Sequence, residues 1–209
     1  MKDFAAAEAD FTRFIAVDPS WLSTYDGRAQ ARFYLGKLDA AQEDLEHILA
    51  KEKDHARALE LRAAIKASQG DIAGMRDDLA QILTSAKPAE PDRYLIMFHA
   101  LAEWRLAGRE NAEALRAKLP VGKEDWCATV AKYLVGDIIL DAFFTAAAKG
   151  DETAIRDQRC EAYYYSGMIY LLRGNPAAAR DAFEKCLAAN LPTFRESRFA
   201  HAELARMKP

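Results

Sequence analysis

This sequence predicts an all-α chain, wound as a superhelix of antiparallel helix pairs. Three observations point there. Alanine makes up about a fifth of the 209 residues; it is the best helix former and lets helices approach closely. Apolar residues recur at a step of thirty-four positions. Glycines stand singly between helical stretches, where a helix end or a tight turn requires one. With 51% apolar residues the chain has enough hydrophobic material for a core.

The step links Gly36 to Gly70, Leu45 to Leu79 and Ile48 to Ile82. Taken back one period it reaches Phe11 and Phe14. Three trios result: Ala7/Phe11/Phe14, Ala41/Leu45/Ile48 and Met75/Leu79/Ile82. Spacings of four and three place each trio on one helix face. An Asp follows each glycine turn, at Asp39 and Asp71, where it can cap the next helix. Each repeat therefore reads as helix, turn, helix.

In chain order, a helix at 3–17 stops before Pro19, as a proline just beyond a helix should make it. It reads as the second helix of a pair, so the repeats start half a unit late. Helices 21–35 and 38–52 form one pair, 55–69 and 72–85 the next. Lys87-Pro88-Ala89-Glu90-Pro91 is a spacer. Helices 92–107 and 109–118 flank Gly108, and Pro120-Val121-Gly122 breaks the chain again. Helices 124–135 and 137–149 flank Gly136. Helices 153–173 and 176–189 follow, and after Pro192 a terminal helix spans 194–207.

Period and residues together resemble the tetratricopeptide repeat family. The clearest copy is Tyr163-x3-Gly167-x2-Tyr170-x3-Gly174-x4-Ala179-x3-Phe183, in the family's order of aromatic, small and turn positions. The better-matched copies are 22–53, 56–83 and 160–190, with a divergent middle at 92–150 and a capping helix at 194–207. The resemblance implies one solenoid over residues 1–209, its core running from repeat to repeat, with Gly167 and Ala179 at the closest helix crossing. It also implies a groove lined by the first helix of each pair. Carried over position by position, the partner-binding residues are Gln30, Phe33, Tyr34, Arg57, Phe98, Arg105, Tyr164 and Met168. Aromatics and arginine are enriched at binding hot spots; packing inside a tight superhelix is the open alternative for Phe98 and Met168. The lysine and asparagine clamp of the family's chaperone-binding members is replaced here by Asp26, Gln30, Glu60 and Ala64, which would repel an acidic tail.

The C-terminal part is similar to something narrower. Trp126, Tyr133-Leu134-Val135-Gly136-Asp137-Ile138, Glu161 to Gly167, Phe194-Arg195-Glu196 and Ala202-Glu203-Leu204 resemble, in order, the C-terminal half of NlpI-type bacterial lipoprotein adaptors. That resemblance implies a helical adaptor for envelope proteases and peptidoglycan hydrolases, periplasmic or outer-membrane-associated with its leader removed; without the resemblance the expected compartment is the cytoplasm, and the residues alone do not fix it. The family's leader and lipid-carrying cysteine have no counterpart among the first residues.

Net charge is −3, from 29 basic and 32 acidic residues. Nucleic-acid binding needs a cluster of phosphate-neutralising cations, and no basic run exists, so a nucleic-acid partner is not expected. The longest apolar region, 138–148, is too short to span a bilayer, and direct membrane insertion is not expected either. Cys127, Cys160 and Cys186 lack metal-site spacing and read as small buried apolar residues. Cys160 and Cys186 fall on the two helices of one pair, which leaves a single bridge open, although spacing alone cannot supply its geometry.

His47, His55, His99 and His201 form no helical metal pair, so neither metal nor cofactor is expected. His99 sits in an apolar run and reads as a packed, hydrogen-bonded histidine. Phosphate loops and nucleophile elbows are absent. Glu43-Asp44 and Asp77-Asp78 are adjacent on helices, face different ways and read as solvated charge. The chain is thus expected to be a non-enzymatic scaffold or adaptor that binds a protein or peptide. The alternatives are a regulatory segment of a larger protein and self-assembly, as a homodimer through the Phe4, Phe11 and Phe14 face of the N-terminal helix.

Overall fold

The computed structural model of the chain describes residues 3–85, 92–119 and 124–207. The expected Pro-rich spacer at 87–91 and break at 120–122 lie outside the described residues. Helix is the regular structure found among the described residues: α1 (Phe4–Val17), α2 (Leu22–Tyr34), α3 (Leu38–Lys51), α4 (Ala56–Gln69), α5 (Ile72–Ser85), α6 (Arg93–Ala107), α7 (Ala112–Lys118), α8 (Trp126–Leu134), α9 (Leu140–Ala146), α10 (Glu152–Leu172), α11 (Pro176–Ala188) and α12 (Arg195–Arg206). The all-α class with consecutively paired helices is as the sequence predicts. The chain divides into two compact units, Met1–Ala86 and Lys87–Pro209.

In the first unit each helix packs on the next, and α2 also packs on α4. The thirty-four-residue step is a packing step. Ala41, Leu45 and Ile48 on α3, and Met75, Leu79 and Ile82 on α5, are all buried, as are Ala29 and Ala63 on the helices that precede and pack on them. Burying one such large aliphatic side chain is worth about 1.5–3 kcal/mol. Gly70 ends α4 in the left-handed region, at φ +83°; its N–H donates to Ala67 and that of Asp71 to Lys66. Glycine takes this conformation without the penalty a side chain meets. Asp71 caps α5 as expected, accepting from Gly74 N–H at 2.8 Å. Asp39 instead lies within the first turn of α3, where a negative charge still favours the helix dipole.

The first trio is different. No residue of α1 is fully buried, and Phe14 is 70% exposed. Phe11 closes on α2: a Cβ on Gly27 would lie 2.4 Å from its Cζ. Glu8 ties α1 to α2 by accepting from Arg32 at 3.2 Å, and to the start of α3 by accepting from Lys37 at 2.6 Å.

In the second unit α10 is the hub, packed on α6, α8, α9, α11 and α12. Gly167 permits its closest approach to α11. The atoms nearest a Cβ there would be those of Phe183, at 2.6 Å, rather than those of Ala179 one turn earlier. α9 is shorter than the expected 137–149. Gly136 turns the chain at φ +81°, Asp137 is held by both Nη atoms of Arg116, and Ile139 stays extended as the N-cap, 72% exposed. Only Phe143 of α9 is fully anchored, stacked on Trp126 and Tyr133.

Candidate functional site

The eight expected groove residues meet two fates. In the first unit, α2 and α4 are first helices of their pairs. Gln30 and Tyr34 are half-buried and Arg57 is exposed. Arg57 reaches Asp26 at 3.1 Å, which neutralises one of the two carboxylates expected to repel an acidic tail. The Tyr34 ring stacks on Phe4, with centroids 4.6 Å apart. Phe33, one residue away, points into the core with no exposure. The accessible remainder is a polar and aromatic surface of Gln30, Tyr34 and Arg57.

In the second unit the corresponding face is filled. Phe98, Tyr164 and Met168 are fully buried. The Phe98 ring stacks on Tyr164 at 5.0 Å and meets Phe199 of α12 at 4.8 Å. Burial pushes the Tyr164 phenol well above its ordinary pKa. Arg105 is only 10% exposed and pairs with the buried Glu203. Phe98, Tyr164 and Met168 are corrected from partner-binding to core, since α6 and α12 pack on α10; Arg105 is instead engaged by Glu203, and Phe33 is corrected to the core of the first unit. The signal was in the sequence. Leu95 to Leu101 is apolar almost all round, and such a helix is a buried one.

A set of residues read as solvated proves structural. Asp44 and Asp78 are nearly inaccessible. Asp44 accepts two hydrogen bonds from Arg28, at 3.0 and 2.6 Å, and one from Arg32 at 2.8 Å. Asp78 accepts two from Arg62, at 3.0 and 2.7 Å, and Lys66 lies 2.9 Å away. Arg28 to Arg62, Arg32 to Lys66 and Asp44 to Asp78 all differ by thirty-four. Hydrogen bonding to the aspartates raises the pKa of Arg28 and of Arg62. Bidentate pairs are the strong kind, and inside a helix pair they satisfy buried charge. The apolar trios revealed the period; extending the same comparison to charged positions would have found this network.

Carboxylates are also buried in the second unit. Glu161 accepts from Trp126 Nε1 at 2.8 Å. Its pKa is raised to about 8, first by burial and then by the neighbouring Glu196, against hydrogen bonds from Tyr94 and Trp126 that pull it down. Glu196 accepts from Tyr165 at 3.2 Å.

His55 caps α4, its Nδ1 accepting from Ala58 N–H at 3.2 Å. His47 stacks on Tyr25. His99 Nδ1 lies 3.5 Å from Glu103. Among the described residues no three His, Cys, Asp or Glu side chains are arranged to hold a metal ion, and no helix is long and apolar enough to cross a membrane.

Residues 161–191 match the family model of the tetratricopeptide repeat. The fold is similar to the crystal structure of a tetratricopeptide repeat protein from Parabacteroides merdae, with a TM-score of 0.54 and 15% identity over 98% of this chain and 78% of that one.

Proposed function

We propose that this chain is a non-enzymatic protein-interaction scaffold, and that it engages a protein or extended peptide on the α2/α4 face around Gln30, Tyr34 and Arg57. One observation carries the reading: the first unit repeats a helix pair whose inner helices leave this polar and aromatic surface open. Repeat folds of this kind typically bind proteins rather than catalyse. An extended segment could use the Gln30 amide for backbone hydrogen bonds and Tyr34 for apolar contact. Site-specific photo-crosslinkers at positions 30 and 57 test this in the organism's own cells. Partners captured there and missed by the same probe at exposed Glu46 on α3 support the site. Equal capture at all three positions contradicts it.

The narrower adaptor reading belongs here too. Trp126, Glu161 to Gly167 and Phe194 to Glu196 motivate an NlpI-like role in bringing envelope proteases or peptidoglycan hydrolases together. Direct binding of such purified enzymes would support it; a set of captured partners confined to the cytoplasm would oppose it. The same reading takes residues 1–209 as one solenoid. Its test is whether urea unfolding, followed at Trp21 and at Trp104, gives coincident transitions.

Self-association is a second reading, favoured by the outer side of α1. Of the expected Phe4, Phe11 and Phe14 face, Phe4 stacks on Tyr34 and Phe11 lies against Gly27 of α2; Phe14 is 70% exposed, as is its neighbour Val17 at 86%, and exposed apolar side chains of this kind mark interaction sites. Sedimentation of the wild type against Phe14→Glu discriminates it: a dimer lost in the variant supports it, and a concentration-independent monomer refutes it.

A further inference from the structure

Two of the three thiols meet inside the second unit. Cys160 on α10 and Cys186 on α11 hold their Sγ atoms 3.2 Å apart. Both are free and both are fully buried. The Oγ of Ser197 lies 3.4 Å from Cys160 Sγ, so α12 packs over the same spot. A disulfide bond is about 2.05 Å long, so closing one here requires an approach of about an ångström by two side chains already in contact. Cys127 lies elsewhere, on α8, where burial pushes its thiol up to about 12 despite nearby Arg93.

Cys160 has no exposed surface of its own, but it stands behind a pocket at the surface. It forms part of the wall of this pocket of about 400 Å³, with Glu152, Arg156, Arg159, Tyr163 and Lys185 around it. Arg156 pairs with Asp157 and Lys185 with Asp181.

We propose that Cys160 and Cys186 are a redox pair, converted by a small organic disulfide entering this pocket into a disulfide that joins α10 to α11. Because Cys160 is fully buried, the step takes place on local opening of the pocket wall: its thiol loses a proton to water and the thiolate attacks one sulfur of R–S–S–R. That bond breaks, a mixed disulfide forms on Cys160, and RS⁻ leaves and takes up a proton. The Cys186 thiolate then attacks Cys160 Sγ and expels the second RS⁻. Two protein thiols are oxidised to one disulfide while one organic disulfide is reduced to two thiols. Cys160 lines the pocket and Cys186 does not, which makes Cys160 the attacking sulfur and Cys186 the resolving one.

The bond would close a 26-residue separation spanning most of the 161–191 copy. Closing a loop of this size restricts the unfolded chain and raises the melting temperature by roughly 10 °C for a unit of this length. A reducing environment would leave the copy unlatched; an oxidising one would lock it.

The full chain, reduced and then incubated with oxidised glutathione, tests this. The expected product has lost two hydrogens in mass and retains one titratable thiol of three after denaturation. Peptide mapping places the bridge between 160 and 186, and melting rises. Cys127→Ser behaves likewise, with no thiol left, whereas Cys160→Ser and Cys186→Ser form no intramolecular bridge. Three retained thiols, a glutathione adduct as the final product, a bridge to Cys127, or a mapped bridge without a melting rise would each overturn the proposal. Mapping on the unsubstituted protein decides it even if the serine variants fail to fold.

Discussion

Equivalent repeat positions meet opposite fates in the two units. In the first, Arg28 and Arg62 pair with Asp44 and Asp78 inside the helix pairs. In the last copy the same positions, aligned on Ala29, Ala63 and Gly167, hold Ser166 and Ala182, and both are buried. In the first unit Gln30 sits on an accessible face. Its counterpart Met168 is sealed beneath α6 and α12. The repeat therefore dictates which side chains share a helix face, while whatever packs across that face decides whether it becomes a surface or a core. Where charge is buried the pair is held by directional bonds; where it is absent, Phe183 fills the crossing over Gly167.

The sharpest way to break this comparison is Asp44→Ala. It leaves Arg28 and Arg32 without their buried carboxylate, and losing one partner of such a pair costs about 3–5 kcal/mol. Urea unfolding followed at Trp21 should show it; a loss under about 1 kcal/mol would mean that the pair behaves as a surface one. Gly167→Leu comes next. It overpacks the crossing against Phe183, at about 1–3 kcal/mol, read as a lower melting temperature of the second unit. Gly27→Leu should cost less, because Phe11 is only half-buried and its ring can swing outward.

A pH dependence of unusual sign sharpens the comparison further. The folded pKa of Glu161 is about 8 and its ordinary value 4.5. Between these values the native state keeps a proton that the unfolded chain has released. The contribution to stability is full below about pH 4.5 and is lost as pH rises through about 8. The stability of the second unit should fall over that window, and Glu161→Gln should flatten the slope. An unchanged slope in the variant would contradict the assignment. The smallest expected effect is that of Gln30→Ala or Arg57→Ala, within about 0.5 kcal/mol on stability, with partner capture reduced.

Most of the fold was legible in the sequence because it rests on local signals: the glycine turns, Asp71 as a cap, and apolar trios at a fixed step. α9 was overdrawn because an apolar run from Ile138 to Ala148 looks helical throughout, whereas Gly136 and the Arg116–Asp137 pair spend its first residues on a turn. The groove was half legible. Position within a repeat named Gln30, Tyr34 and Arg57, which keep exposed or half-buried side chains. It could not show that α12, remote in sequence, would cover Tyr164 and Met168. The ionic network went unread because Asp44 and Asp78 each have an acidic neighbour, and adjacency suggested solvent when the period pointed inward.

The central claim is that one face is open and its equivalent is closed. Hydroxyl-radical footprinting of the native protein, read residue by residue by mass spectrometry, tests it directly. Tyr34 should be oxidised readily, while Phe98, Tyr164 and Met168 remain protected, although methionine is intrinsically the more reactive side chain. Oxidation of Met168 and Tyr164 at rates matching Tyr34 would contradict the account and restore the full-length groove.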